Sequence, residues 1–243
     1  MKAAVLILLT ALPCPPGAAR AATNDCFADG VAAYRLGQFA RAARDFEKAA
    51  ATRPAAGTLV NLGLSEWQCG HAGPAILAWE RARWLDPFDA RARENLRFAR
   101  HAIQVEAPGL KWFETLSGWL PAGAWLWLAG ANLSLATGLM LLPGILRRPK
   151  AGWHQAMAAG ALCVFLFSLT ANVGVLSRTR LGFVLEDNAP LRLTPTRDGE
   201  VTATLTGGEP ARKLRTRGKY DLIRTEYGTG WIDRGQFGLV SGQ

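Results

Sequence analysis

The sequence has few of the side chains that enzymes most often use for chemistry. It contains three histidines, His71, His101 and His154, and four cysteines among 243 residues. No histidine is spaced to join cysteine, serine or carboxylate residues in a metal-ligand set or a catalytic triad. Glu114 and Glu186 flank an apolar region, where we expect solvated charges. We therefore expect no enzyme activity, no catalytic or metal-binding residue and no cofactor.

The cysteines also predict no disulfide. Cys14 and Cys163 fall in apolar segments, which leaves Cys26 and Cys69 as the only pair in one polar region. If residues 23–104 form a helical repeat, the helices that carry this pair run parallel. Their offset of ten residues corresponds to roughly 15 Å along the helix axis. That separation exceeds the span of a disulfide, so we expect two free thiols.

Neither polar region of the chain has a marked excess of basic residues, although the formal net charge is +9. Residues 23–110 carry eleven Lys/Arg and ten Asp/Glu, and residues 181–243 carry nine and eight. Residues 111–180 carry six basic residues and one acidic residue. A nucleic-acid-binding protein concentrates basic residues on its binding domain. The distribution therefore argues against a nucleic-acid partner.

Charged residues are absent between Glu114 and Arg147, and again between Lys150 and Arg178. Each gap is longer than the roughly 20 apolar residues that cross about 30 Å of hydrocarbon. The sequence therefore predicts a two-helix transmembrane hairpin. It consists of transmembrane helices over 121–146 and 152–177, joined by a cytoplasmic turn over 147–151.

Two features predict the orientation of this hairpin. The turn carries Arg147, Arg148 and Lys150, and the positive-inside rule places such residues in the cytoplasm. Residues 1–22 combine Lys2, an apolar run and small residues, which is typical of a cleaved signal peptide. An uncleaved signal anchor is the alternative, and either leader exports the residues on its C-terminal side. We expect the N- and C-terminal domains to lie outside the cytoplasm.

Aromatic and small residues mark the hairpin further. An aromatic belt is expected at the membrane interface, next to an interfacial linker over 105–120; it consists of Trp112, Phe113, Trp119, Trp125 and Trp127. Small residues recur every four positions in both spans, at Gly130, Ser134, Gly138, Gly152, Ala156 and Gly160. We expect the two helices to pack closely through these small residues.

An internal repeat occupies residues 23–104. Gly37, Ala42, Phe46 and Pro54 recur 33 residues later as Gly70, Ala75, Trp79 and Pro87. The second copy has Leu62-Gly63 in its first helix, where the first copy has Asp29-Gly30. The pattern resembles the tetratricopeptide repeat (TPR), which implies an array of helical hairpins. A third amphipathic helix, about Ala90 to Ile103, would cap the array.

Repeats of this kind cannot bury their apolar faces singly and stack into arrays with an exposed face. That face predicts a protein partner. A spacer, or a surface for self-association, is the alternative.

Residues 181–243 change period. Short β-like runs are separated by glycines at 199, 207, 208, 218 and 228, which predicts a small all-β barrel. The run Ala189–Arg192 with Tyr220 and the pair Gly230-Trp231 resembles the bacterial SH3-like domain. Relatives of that domain are often associated with cell-wall glycan, which makes Tyr220 and Trp231 candidate binding residues. The alternative is that Trp231 packs in the barrel core.

The order of parts resembles the TPR/SH3 member of the bacterial Bat aerotolerance operons, the BatE-like family. The resemblance extends over nearly the whole chain that follows the leader. It implies a multidomain membrane protein with an α-helical TPR array, a transmembrane hairpin and an all-β SH3-like barrel. It implies a complex at the bacterial inner membrane with von Willebrand A-type proteins and a MoxR-type ATPase, linked to oxidative-stress tolerance. We therefore expect a membrane-anchored scaffold. A tether or sensor that binds peptidoglycan through the barrel is the alternative.

Overall fold

The computed structural model describes residues 17–145 and 152–242. Most of the predicted signal peptide, residues 1–16, lies outside the described residues, and so does the predicted turn over 147–151. Residues 17–22 form the start of the first helix.

Five helices make up the first part of the described chain, and each packs against the next. They are α1 (Gly17–Arg35), α2 (Phe39–Thr52), α3 (Ala56–Gln68), α4 (Ala72–Leu85) and α5 (Ala90–Ile103). Asp89 begins α5, because its carboxylate accepts hydrogen bonds from the backbone N–H groups of Arg91 and Ala92. Cys26 and Cys69 are free thiols.

The 33-residue sequence repeat is also a structural repeat. Helix α2 begins at Phe39 and α4 at Ala72, and they end at Thr52 and Leu85. Each is preceded by a turn whose glycine has a positive φ, +73° at Gly37 and +84° at Gly70. Only glycine adopts that conformation without a steric cost. Ala42 and Ala75 are both fully buried at the equivalent position. The two helical hairpins therefore share one design.

The start of the first repeat has the same packing as the start of the second. A Cβ on Gly63 would lie 2.4 Å from the Trp79 indole, and a Cβ on Gly30 would lie 2.9 Å from the Phe46 ring. Each glycine lets the large aromatic residue of the following helix lie against the backbone. Asp29-Gly30 thus does in the first copy what Leu62-Gly63 does in the second. Pro54 and Pro87 follow the second helix of each copy.

Three further helices come next: α6 (Trp112–Ser117), α7 (Ala122–Ile145) and α8 (Gly152–Arg178). Two stretches, Ala122–Leu141 and Gly152–Arg178, are long and apolar enough to cross a membrane. Only 17% and 22% of their most apolar windows are buried inside the protein, so most of their apolar side chains face outward. Helices α7 and α8 pack along each other, and the short α6 packs on α8.

The predicted packing of these helices through their small-residue stripes is wrong. No atom lies within 4 Å of a Cβ built on Gly130, Gly138, Gly152 or Gly160. The buried positions are instead alanines, namely Ala129, Ala136, Ala158, Ala161 and Ala171. Adjacent residues of a helix point about 100° apart, so a stripe shifted by one residue faces a different side. The glycine that is tightly packed is Gly174, whose Cβ would lie 2.1 Å from the carbonyl oxygen of Phe113 in α6.

The C-terminal part is a seven-stranded antiparallel sheet, with the strand order β3-β2-β6-β5-β4-β1-β7. The strands are β1 (Leu181–Val184), β2 (Ala189–Arg192), β3 (Val201–Leu205), β4 (Pro210–Arg217), β5 (Tyr220–Thr225), β6 (Gly228–Asp233) and β7 (Phe237–Leu239). One face of the sheet encloses a small apolar core that includes Leu191, Ile223 and Ile232.

The helical array and the sheet share one hydrophobic core. Leu181 and Phe183 of β1 pack in the same cluster as Ile76 and Trp79 of α4. A Cβ on Gly73, at the start of α4, would lie 2.4 Å from the carbonyl oxygen of Leu185. The backbone of the sheet therefore lies directly against α4. The two polar parts of the chain form one packed unit at the end of α8.

Candidate functional site

A groove lies between α1 and α3, on one face of the helical array. Val31 and Tyr34 of α1 and Asn61 and Leu64 of α3 line a cavity of about 140 Å³, with Phe46 at its floor. Helix α2, which carries Phe46, lies behind this face. The groove is therefore the gap between alternate helices of the array, where the repeat leaves their side chains without a covering element.

Aromatic side chains continue the groove from α3 to α5. The rings of Trp67 and Phe98 meet edge to face with centroids 5.7 Å apart. Trp67 also contacts Trp79, at a centroid distance of 6.1 Å, so the core tryptophan supports the outer pair. Phe98 keeps 61% of its surface exposed. We name the surface formed by Val31, Tyr34, Leu64, Trp67 and Phe98 the repeat groove. Its apolar, aromatic surface matches what protein interfaces use for anchoring contacts.

Arginines of α5 divide between solvent and interior. Arg91 and Arg97 are exposed, and Arg91 pairs with Asp89 at 3.1 Å. That hydrogen bond is the largest of the effects that lower the pKa of Asp89. Arg100 instead turns inward and pairs with Glu80, whose side chain is almost fully buried.

A buried polar site surrounds Glu114, whose carboxylate is fully buried. The guanidinium of Arg212 in β4 donates one hydrogen bond of 2.7 Å to each carboxylate oxygen. Ser177 of α8 donates a third, at 2.5 Å, and the backbone N–H of Lys111 a fourth, at 2.8 Å. Burial alone would raise the pKa of Glu114, but these hydrogen bonds outweigh burial and lower the pKa. The expectation of a solvated Glu114 is therefore wrong, because its partners lie on elements distant in the sequence.

Glu186, by contrast, is exposed, and it accepts a hydrogen bond of 2.8 Å from the side-chain amide of Gln236.

Arg178 makes a second set of contacts at the end of α8, with α4 and α6. It is the last residue of α8 and is only 7% exposed. Its guanidinium carbon lies 5.1 Å from the ring centre of Trp84, near the end of α4. Its nitrogen also approaches the Ser117 hydroxyl at 3.5 Å. The end of α8 is thus fixed against α4 and α6, and the array is held directly at the end of the apolar hairpin.

Tyr220 and Trp231 lie on the outer face of the sheet. Trp231 is paired across the strands with Leu222 and Arg192, and directly paired residues share a face. Tyr220, two residues before Leu222, is on that face too. The neighbours of Trp231, Gly230 and Ile232, are buried and point to the opposite side. Trp231 is therefore half-buried on the outer face, and the alternative that it packs in the core is wrong.

A cavity of about 390 Å³ adjoins Tyr220. Its lining is mixed in charge, with Arg192 and Arg197 facing Glu186 and Asp233. Pro190 lines it as well, whereas Trp231 does not. The structure therefore brings the two candidate residues to one face but only Tyr220 to the cavity. Tyrosine and arginine side chains at such a cavity can stack on and hydrogen-bond to a polar ligand.

The histidines have separate surroundings. His71 precedes α4, and its Nδ1 lies 2.7 Å from a carboxylate oxygen of Glu66. His101 is in the last turn of α5, and His154 is near the start of α8. Within residues 17–145 and 152–242, no group of three or more histidine, cysteine or carboxylate residues is placed to hold a metal ion.

Sequence reasoning did not find the Glu114–Arg212 contact, and one signal pointed to it. Glu114 is the only acidic residue between residues 111 and 180, so it is the one carboxylate that the segment around the hairpin itself supplies. Its partner lies 98 residues later, and no local pattern identifies it.

Comparisons of the chain with protein-family models, with curated proteins and with solved structures find no match.

Proposed function

We propose that this protein is a membrane-anchored scaffold that binds a protein partner outside the cytoplasm through the repeat groove. The observation that carries the proposal is the apolar and aromatic surface of that groove, in which Phe98 is 61% exposed and the other four side chains are half-buried. An array of stacked helices presents such a surface when it has a ligand to cover it. The groove contains no set of ionisable residues suited to catalysis, which favours binding over an enzyme.

The hairpin formed by α7 and α8 is the proposed anchor. Both helices have the length and composition of membrane spans. Contacts of Glu114 and Arg178 hold the array and the sheet at the same end of the hairpin. Both polar parts must then lie on one side of the membrane. The basic turn over 147–151 and the leader favour the outside of a bacterial inner membrane for that side.

The likeness of the sequence to the BatE-like family suggests which proteins to test as partners. The TPR and SH3-like assignments of the array and of the sheet belong to this proposal. They suggest a von Willebrand A-type membrane protein as the direct partner and a MoxR-type ATPase as a further component. They also suggest a role in oxidative-stress tolerance.

The test is copurification of the full chain, in detergent, with a coexpressed von Willebrand A-type membrane protein from the same genome. Phe98→Glu places a charge in the repeat groove, and we expect it to reduce recovery of the partner at least about tenfold, the loss of one anchoring contact. Tyr227→Glu is the matched control, because Tyr227 is equally exposed, at 61%, but lies in the turn between β5 and β6. Equal recovery with both variants would contradict the proposal.

A second candidate function is a tether that binds peptidoglycan. The observation that favours it is the outer-face position of Tyr220 and Trp231, with Tyr220 beside a polar cavity. The test is retention of the detergent-solubilised full chain on purified sacculi. The sheet shares its core with α4 and is therefore not tested alone. The tether requires Tyr220→Ala to lower retention and Leu193→Ala, at an exposed position directly after β2 that does not line the cavity, to leave it unchanged. Absence of retention by the unaltered chain would exclude it.

A further inference from the structure

The connection between α4 and α5 is a tight turn with an apolar tip. Pro87 and Phe88 are its central residues, and the backbone N–H of Asp89 points to the carbonyl oxygen of Asp86 at 3.4 Å. The Asp86 carboxylate also accepts a hydrogen bond of 2.9 Å from the backbone N–H of Phe88. Proline at the second position and aspartate at the first are the residues that a type I turn favours. The tip is therefore held in one conformation.

Two large apolar side chains of this turn are not covered by the protein. Phe88 is 65% exposed and Leu85 is 38% exposed. Trp84, directly before them, packs on Arg178. This turn presents a phenylalanine and a leucine to water. Exposed apolar surface of this kind marks a site of contact with another protein or with a membrane.

The direction of α4 shows where the turn lies. Gly73, in the first turn of the helix, lies against Leu185, beyond the end of α8. Trp84, in the last turn, packs on Arg178, the last residue of the apolar span. The chain therefore runs toward the hairpin along α4. Four residues extend at most about 14 Å, so Phe88 stays close to the end of that span.

Further exposed aromatic residues lie at the same end of the hairpin. Trp112 begins α6 and is 71% exposed, and Trp119 precedes α7 and is 63% exposed. Trp125, by contrast, is buried and donates a hydrogen bond of 3.1 Å to the carbonyl oxygen of Ser117. The outward-facing aromatic residues at this end therefore include Trp112 and Trp119 but not Trp125, and the turn at Phe88 lies at the same end of the hairpin.

We propose that the α4–α5 turn is a membrane-contact element whose Leu85 and Phe88 insert into the interfacial region of the lipid bilayer next to the hairpin. This inference rests on the proposal that α7 and α8 span a membrane. Residues 83–94 contain three arginines and three acidic residues, so apolar burial, not attraction to anionic lipid, drives the contact. The contact gives the array a second attachment and fixes the direction in which the repeat groove faces.

The test is fluorescence quenching of the full chain in nanodiscs of zwitterionic phospholipid. The four cysteines are replaced by serine, and an environment-sensitive probe is attached at Phe88→Cys, Phe98→Cys or Leu166→Cys in separate samples. The quencher is a phospholipid with a nitroxide on its acyl chain, placed close to the headgroup for positions 88 and 98 and near the end of the chain for position 166, which lies in the middle of its span. We expect quenching at position 88 to be at least about threefold stronger than at position 98, since an interfacial side chain lies at the depth of the quencher. Anionic lipid should leave this ratio unchanged.

The probe at position 166 separates the two proposals, because Leu166 lies within the apolar span and is exposed on its surface. Quenching at 166 with equal, weak quenching at 88 and 98 would overturn the turn insertion and leave the anchor intact. No quenching at 166 would overturn the anchor and the insertion together. A requirement for anionic lipid at position 88 would contradict apolar insertion.

Discussion

Glu114 links three elements through one carboxylate: the start of α6, the end of α8 and strand β4. Glu114→Gln keeps the shape of the side chain but removes its charge, so the Arg212 guanidinium loses its ionic partner. We expect a loss of about 2–3 kcal/mol, below that of a fully buried pair because Arg212 keeps 27% of its side chain exposed. Chemical unfolding of the full chain in detergent measures it. A loss as small as that of Glu186→Gln, at an exposed carboxylate, would contradict the central role of Glu114.

The lowered pKa of Glu114 predicts how stability depends on pH. The folded protein holds this carboxylate ionised more readily than the unfolded chain does. Its contribution is therefore complete above the ordinary pKa of glutamate, about 4.3, and is lost as the pH falls through the lower pKa of the folded state. We expect acid to destabilise the unaltered protein more than Glu114→Gln. Parallel pH profiles of unfolding free energy for the two proteins would contradict this assignment.

Gly30 and Gly63 let large aromatic rings lie against helix backbones. We expect Gly63→Ala to lower the free energy of unfolding by about 1–3 kcal/mol, because the added methyl group overlaps the buried Trp79 indole. Gly30→Ala should cost less, since its closest contact with Phe46 is longer. Gly57→Ala, also in α3, is the control: its methyl group would meet only Arg91, at 3.9 Å. Equal effects of all three substitutions would contradict the shared packing of the two repeats.

At the scale of elements, α7 and α8 pack through alanines, and their glycine stripes face outward. Ala161→Leu should therefore disrupt the hairpin and lower its thermal stability in detergent, because the larger side chain has no space between the helices. Gly160→Leu, at the adjacent residue, should have little effect, since no atom lies within 4 Å of its Cβ position. The reverse order of the two effects would contradict the observed pairing.

The elements themselves could be predicted well from sequence, for physical reasons. The 33-residue period predicts where α2 and α4 begin, because Gly37 and Gly70 in the preceding turns have a positive φ that is a local requirement. The charge-free segments fix α7 and α8, because length and composition decide whether a helix can span a membrane. Which side of those helices faces the partner could not be predicted. The four-residue spacing of Gly130, Ser134 and Gly138 gives a stripe, but several stripes of small residues compete for one contact.

At the scale of the whole molecule, the array and the sheet share one core through α4 and β1. We expect residues of α3, α4, β1 and β7 to unfold together, because Trp79 and Phe183 belong to the same apolar cluster. Hydrogen exchange of the full chain in detergent measures this, with similar protection expected in all four elements. Gly73→Ala should lower protection in both parts, since its methyl group would overlap the Leu185 carbonyl. Independent unfolding of the sheet would contradict a single unit.

That union could not be predicted from sequence, because its contacts join residues far apart in the chain. Gly73 meets Leu185, and Glu114 meets Arg212. Neither pair leaves a local pattern, whereas hydrophobic periodicity reports only which face of an element is buried. Whether Trp231 faces outward or packs in the core could not be decided from sequence for a similar reason. The sequence of one short strand does not show which of its residues face the core. For Trp231, only its pairing with Leu222 and Arg192 shows this.

The central claim is a scaffold whose array and sheet lie together outside the cytoplasm, anchored by α7 and α8. Its most direct test is a set of fusions after Pro108, Lys150 and Gln243, each with a reporter active only outside the cytoplasm and one active only inside. The account predicts outside, inside and outside for the three positions. Cytoplasmic signals after both Pro108 and Gln243 would contradict it, and so would opposite signals at those two sites, because the shared core requires both parts to lie on one side.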